Sequence, residues 1–167
     1  MLGSLARKLR IFGFDTLYIK TGGDDEIISL GIGQGRVILT CDNDMYNRIL
    51  KAGARGILLN CSNDVENIAN IFFNYHVLLG QCTAAKSRCS ACNGSLRKRY
   101  PAEVKEEIPF NVFNSHEQFF QCERCNKLFW EGSHFLHLRS LAIRVDNLIK
   151  EHLRETSSSS TCNTNIR

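Results

Sequence analysis

No run of about 18 apolar residues occurs in the chain, which leaves it without a membrane-spanning helix and makes a membrane partner unexpected. The N-terminal stretch MLGSLARKLRIFGF is basic and amphipathic. It lacks the uninterrupted apolar core and small-residue cleavage site of a secretory signal. A mitochondrial presequence shares its basic, amphipathic character, but here the pattern passes straight into globular sequence. Charge of one sign is also scarce, the net value being +4. Residues 1–80 hold 8 Lys/Arg and 8 Asp/Glu, whereas residues 81–167 hold 13 basic and 9 acidic side chains. The whole excess therefore lies in the second part, where it suits either contact with a polyanion or plain solubility.

What the chain does have is cysteine, at positions 41, 61, 82, 89, 92, 122, 125 and 162. Four of these form two CxxC pairs. Without a secretory signal, that pattern favours metal binding over a disulfide framework. It places the chain in a reducing, intracellular compartment, cytoplasm or nucleus.

Hydrophobic spacing divides the 167 residues into unlike parts. Leu2, Leu5, Ala6, Leu9 and Phe12 predict a helix over 2–12, with Gly13 as its stop. A β-type run follows at Thr16–Ile19. A helix is expected from Asp24, weakened by Gly31 and Gly33. Val37–Thr40 and Gly56–Asn60 read as apolar strands, and Asp42–Leu50 as a helix between them. Asp64 is expected to cap a helix reaching Tyr75. Helices alternating with short apolar strands are the signature of an α/β domain with a buried parallel sheet, over residues 1–80. From 81 to 132 the pattern changes to cysteine knuckles and aromatic-rich β segments. A helix returns over 133–155, and 156–167 reads as a disordered tail.

The knuckles are Cys89-Ser-Ala-Cys92-Asn-Gly and Cys122-Glu-Arg-Cys125-Asn-Lys. A two-residue spacer lets both thiolates of a tight turn face one ion, and two such turns complete the tetrahedral sulfur site that zinc prefers. The 29 residues between the pairs call for an intervening hairpin or loop. Four protein ligands leave no open position, so this zinc is structural. Its binding is worth roughly 10–16 kcal/mol towards folding of the module.

Carboxylates concentrate at Asp24, Asp25 and Glu26, and again at Asp42 and Asp44 directly after the strand VILT. The carboxyl ends of parallel strands form the functional edge of an α/β sheet. Acids converging there would suit Mg²⁺ or Mn²⁺, hard cations that activate water and offset charge on a phosphodiester. The plainer alternative is that each acid caps or flanks a helix N-terminus. Arg97, Lys98 and Arg99 with Tyr100 read either as a phosphate-holding stretch with a stacking ring or as a solvated loop. Arg7, Lys8 and Arg10 read either as a solvated helix face or as part of an RNA groove. His134 and His137 suit packing at a junction better than a second metal site. His116 is read as having no special role. Cys41, Cys61 and Cys82 read as small buried hydrophobes, and Cys162 as free.

Taken in order, MLGSLARKLRIFGFDTLY, the DDEII run, GRVILTCDND, the knuckles CSAC and CERC, and FWEGSHFLHL resemble a known domain. It is the PIN-like RNase domain with appended zinc ribbon found at the C-terminus of Mut-seven-type exonucleases and in stand-alone prokaryotic proteins. The resemblance covers about residues 1–140. It implies a PIN-like parallel sheet flanked by helices, with a zinc ribbon and a C-terminal helix. It also implies cleavage of RNA, single-stranded by expectation, with divalent metal held by acidic side chains. Asp42 matches the aspartate of the family's Thr-x-Asp motif. Asp24 or Asp25 matches the acidic pair opening the second helix, and Asp44 lies in the same matched segment as Asp42. Cys41 stands where relatives often carry a basic residue. Relatives also carry a first β-strand ending in aspartate ahead of the segment equivalent to MLGSLARKLR. Both are absent here, so an unpaired strand edge and exposed apolar surface are expected. The alternatives are a non-catalytic RNA-binding or adaptor module, or a zinc-stabilised protein-interaction domain.

Overall fold

The computed structural model describes residues 2–60, 63–75 and 82–159. Cys61, Cys162 and the expected tail beyond Ser159 lie outside them. The first element is α1 (Leu2–Ile11), whose apolar stripe buries Leu5, Ala6 and Leu9. Helix α2 (Asp24–Gly33) leads into strand β1 (Ile38–Thr40). Helix α3 (Asn43–Lys51) then returns the chain to β2 (Gly56–Leu58), which pairs parallel with β1 in the register Ile38–Gly56, Leu39–Ile57 and Thr40–Leu58. Both strands are a little shorter than their apolar runs.

Gly31, which costs helix propensity, has a packing role. A Cβ there would meet Cδ1 and Cγ1 of Ile38 at 2.7 Å, so its absence lets α2 lie close on β1. Helix α4 (Asp64–Asn74) is capped by Asn63, one residue before the expected Asp64. The Asn63 side chain accepts the N–H groups of Val65 at 3.0 Å and Glu66 at 3.3 Å. An extended residue just ahead of the helix is better placed to reach those donors than one already inside it.

The run Thr16–Ile19 is not a strand. Among the described residues the parallel sheet contains β1 and β2 alone, so no ladder partner reaches residues 16–19. Side chains take its backbone groups instead. Thr16 N–H donates to Asn93 Oδ1 at 3.1 Å, and Thr16 C=O accepts from Arg10 Nε at 2.8 Å. β1 is consequently open on the edge away from β2. A cavity of about 590 Å³ lies there, lined by α1, α2, residues 36–37, β1, Met45 of α3, residues 14–19 and the end of α4, with no residue from β2.

The second part is an antiparallel sheet in the order β3 (Leu96–Arg99), β4 (Phe119–Cys122), β5 (Leu128–Trp130). The interval between the knuckles is not a simple hairpin or loop. It holds two short helices, α5 (Pro101–Val104) and α6 (Phe110–Ser115), which cover Val104, Ile108 and Phe119. Helix α7 runs from Ser133 to Ser159, past the expected end at 155. Its Val145 and Ile149 enter one core with Leu5, Leu9, Ile57, Leu59, Ile68 and Phe72, so the last helix closes over the first part of the chain. Its Phe135 and Ala142 pack with Cys82, Ala84 and Phe120 in a second core, which Ile11 and Phe12 border.

Candidate functional site

Each knuckle turns on an asparagine in the left-handed region, Asn93 (φ 67) and Asn126 (φ 59). Asparagine tolerates that conformation better than most residues. The two turns match bond for bond. Asn93 N–H donates to Cys89 O at 2.8 Å, and Asn126 N–H to Cys122 O at 3.0 Å. Cys89 N–H reaches Gly94 O at 2.9 Å, and Cys122 N–H reaches Lys127 O at 2.9 Å. The four sulfurs of Cys89, Cys92, Cys122 and Cys125 lie within 4.8 Å of one another. Two cross-knuckle pairs, Cys89–Cys125 at 3.6 Å and Cys92–Cys122 at 3.4 Å, have about the edge length of a zinc–sulfur tetrahedron. Burial pushes the Cys89 thiol up to about 12. Burial also opposes the Cys122 thiolate, but the N–H groups of Cys125 and Arg124 and the neighbouring thiols outweigh it and bring Cys122 down to about 7. The set fits a structural zinc ion, which would deprotonate all four.

The acidic edge is arranged otherwise. Asp42 follows β1, as read from the sequence, but it serves as the N-cap of α3, its Oδ1 accepting Met45 N–H at 2.9 Å. Asp24 and Asp25 open α2 and share one cation, Arg48 of α3. Its Nη1 lies 2.6 Å from Asp24 Oδ2, and its Nη2 2.5 Å from Asp25 Oδ1. Asp44 stands exposed in the first turn of α3. Among the described residues the four cysteines are the one group of three or more ligating side chains close enough for an ion, so Asp24, Asp25, Asp42 and Asp44 do not gather three together. Asp42 is engaged in helix capping, and Asp24 and Asp25 are engaged by a guanidinium. Arg48 itself was missed, because its pairing crosses from α3 to α2 and leaves no local signature.

The basic side chains divide in the same way. Arg10 is only 7% exposed. Its Nη1 donates to Ser90 O at 3.0 Å and Ala91 O at 3.3 Å, while Nε holds Thr16 O. Desolvation lowers its pKa. Arg10 thus ties α1 to the first knuckle, with its guanidinium engaged inside the fold. Lys8 is engaged with Asp64 and Ser4. Arg99 is paired with Glu103 at 3.2 Å and Glu107 at 3.6 Å and also meets Gln121. Arg97 donates to Gln121 at 3.0 Å but stays exposed, as do Arg7 and Lys98. Tyr100 is 67% exposed. His134 and His137 are exposed on α7 and join no ligand group. His116 lies 6.5 Å from the Trp130 ring. Cys82 is buried, and that burial raises its thiol to about 11.

The family model described as the Mut7-C RNAse domain matches residues 1–142. No curated protein and no solved structure gives a significant match. The match runs from α1 through both knuckles into α7 and takes in the acidic edge and the four-cysteine centre, so the chain belongs to the Mut7-C RNAse domain family.

Proposed function

We propose that this chain is an RNase-type domain that binds single-stranded RNA and cuts its phosphodiester backbone at the carboxyl end of the parallel sheet. The observation that carries this reading is the family match across residues 1–142. In this reading the zinc ribbon braces the fold, and Arg97, Lys98 and Tyr100 extend the RNA surface through charge and base stacking. Asp42, with Asp24 or Asp25, is the acidic group facing the scissile phosphate.

The resemblance implies Mg²⁺ or Mn²⁺ at these acids. Their oxygens suit a hard cation in kind. Their arrangement does not suit one, since Arg48 holds Asp24 and Asp25 while Asp42 caps α3. That arrangement favours a second reading, a non-catalytic RNA-binding or adaptor module.

Incubating the zinc-loaded protein with single-stranded RNA and Mn²⁺ separates the two. Shortened products that disappear in Asp42→Ala support the nuclease. Salt-sensitive binding with intact RNA supports the adaptor. Affinity that does not change with salt counts against both.

A further inference from the structure

Residues 14–19 form one wall of the cavity beside β1 without belonging to any ladder or helix. Phe14 is anchored in the first core, its N–H on Leu9 O and its ring 4.7 Å from that of Phe72, whereas Asp15 and Thr16 are held by side chains that link them to the first knuckle. Asn93 uses both ends of its amide. Oδ1 accepts Thr16 N–H at 3.1 Å, and Nδ2 donates to Asp15 Oδ1 at 2.6 Å. Arg10 joins Thr16 O to the carbonyls of Ser90 and Ala91, the two residues between Cys89 and Cys92. Arg36 continues the chain of contacts from Asp15, at 2.9 Å to its carboxylate and 3.2 Å to its carbonyl, and Arg36 also lines the cavity. Two further bonds seat the knuckle's approach against the end of α1. Arg88 N–H donates to Arg10 O at 2.8 Å, and Ser87 Oγ to Ile11 O at 2.5 Å.

We infer that zinc at the four-cysteine centre sets the position of residues 14–19, and with it the shape of the cavity, with Asn93 and Arg10 as the side chains that transmit the effect. The reason is local. The Ser90 and Ala91 carbonyls and the left-handed Asn93 sit where they do because the knuckle turn is closed. An ion drawing Cys89 and Cys92 to one point closes that turn. Once the turn opens, Arg10 and Asn93 lose their fixed anchors, and the wall they hold is released. A metal-free chain then keeps its α/β core while its cavity wall exchanges freely, as expected for a low-stability unit within a folded domain. The inference does not depend on RNA cleavage and stands or falls separately from it.

Amide hydrogen exchange on the zinc-loaded protein tests it, before and after the metal is withdrawn with a chelator, and on Asn93→Gly. Glycine at 93 keeps the left-handed turn available while deleting both side-chain bonds. Zinc withdrawal is expected to speed exchange over 14–19 by about tenfold or more, the loss of two or so net hydrogen bonds. Amides near the buried Ile49 and Ile57 should keep their protection. Asn93→Gly should retain zinc and show a similar acceleration over 14–19. The inference is overturned by unchanged exchange of 14–19 in the metal-free protein. It is also overturned by acceleration spread equally to Ile49 and Ile57, or by Asn93→Gly behaving as wild type. The wild-type comparison needs no substitution, so a variant that does not fold leaves the test intact.

Discussion

A methyl group on Gly94 would come within 2.9 Å of Sγ of Cys122, and within 3.0 Å of Cβ of Arg124. The two knuckles meet at this point, and the missing side chain is what lets their sulfurs share one ion. Gly94→Ala should therefore weaken zinc, by about 10–100-fold, the range seen when support around a metal's ligands is disturbed. Competition against a chromophoric chelator measures it. Wild-type affinity in the variant would show that the knuckles have room to spare.

Gly31 sets two effects against each other. Alanine would gain up to about 1 kcal/mol of helix propensity. It would also press on Ile38, and overpacking of this kind costs about 1–3 kcal/mol. The close contact is with a buried strand residue, so the cost should win and Gly31→Ala should destabilise. The penalty should shrink in an Ile38→Ala background, a coupling readable from denaturant midpoints. A stabilised single variant would mean that α2 shifts freely over β1.

Arg10 and Arg48 are both arginines bridging two segments, yet burial separates them. Arg10→Met keeps the aliphatic stem and leaves the carbonyls of Thr16, Ser90 and Ala91 without their donor. A loss of roughly 2–3 kcal/mol is expected, as for buried hydrogen bonds from a charged group. Arg48 is exposed, so Arg48→Ala should change stability by less than about 1 kcal/mol, and less still in high salt. Chemical denaturation at two salt concentrations compares them. Equal losses would contradict the assignment of Arg10 as the internal tie.

Lys98 is exposed on β3, whereas Arg99 on the same strand is paired with Glu103 and Glu107. Lys98→Ala should lower RNA affinity and reduce the slope of log affinity against log salt by about 0.7, one phosphate contact on a single strand. Arg99→Ala should leave that slope unchanged. Fluorescence anisotropy on a labelled single strand reads both. The reverse result would contradict the assignment of Lys98 to the RNA surface.

The legible features were those whose physics is local. Paired cysteines with a two-residue spacer announce a turn and an ion together, whatever surrounds them. Alternating helices and short apolar strands announced the parallel pair β1 and β2. The rest depends on contacts distant in sequence. Asp24 and Asp25 meet Arg48 from 24 and 23 residues away. Arg10 meets Ser90 and Ala91 from 80 and 81 residues away. No spacing rule reports such distances. Thr16–Ile19 has the composition of a strand but, among the described residues, no strand to pair with, and composition does not count neighbours.

End-labelled single-stranded RNA gives the sharpest test of the proposed cleavage at the acidic edge. With zinc-loaded protein and Mn²⁺, the wild type should yield a time-dependent ladder of shortened RNA and Asp42→Ala none at equal RNA occupancy. Full-length RNA from both proteins, at saturating binding, would contradict it.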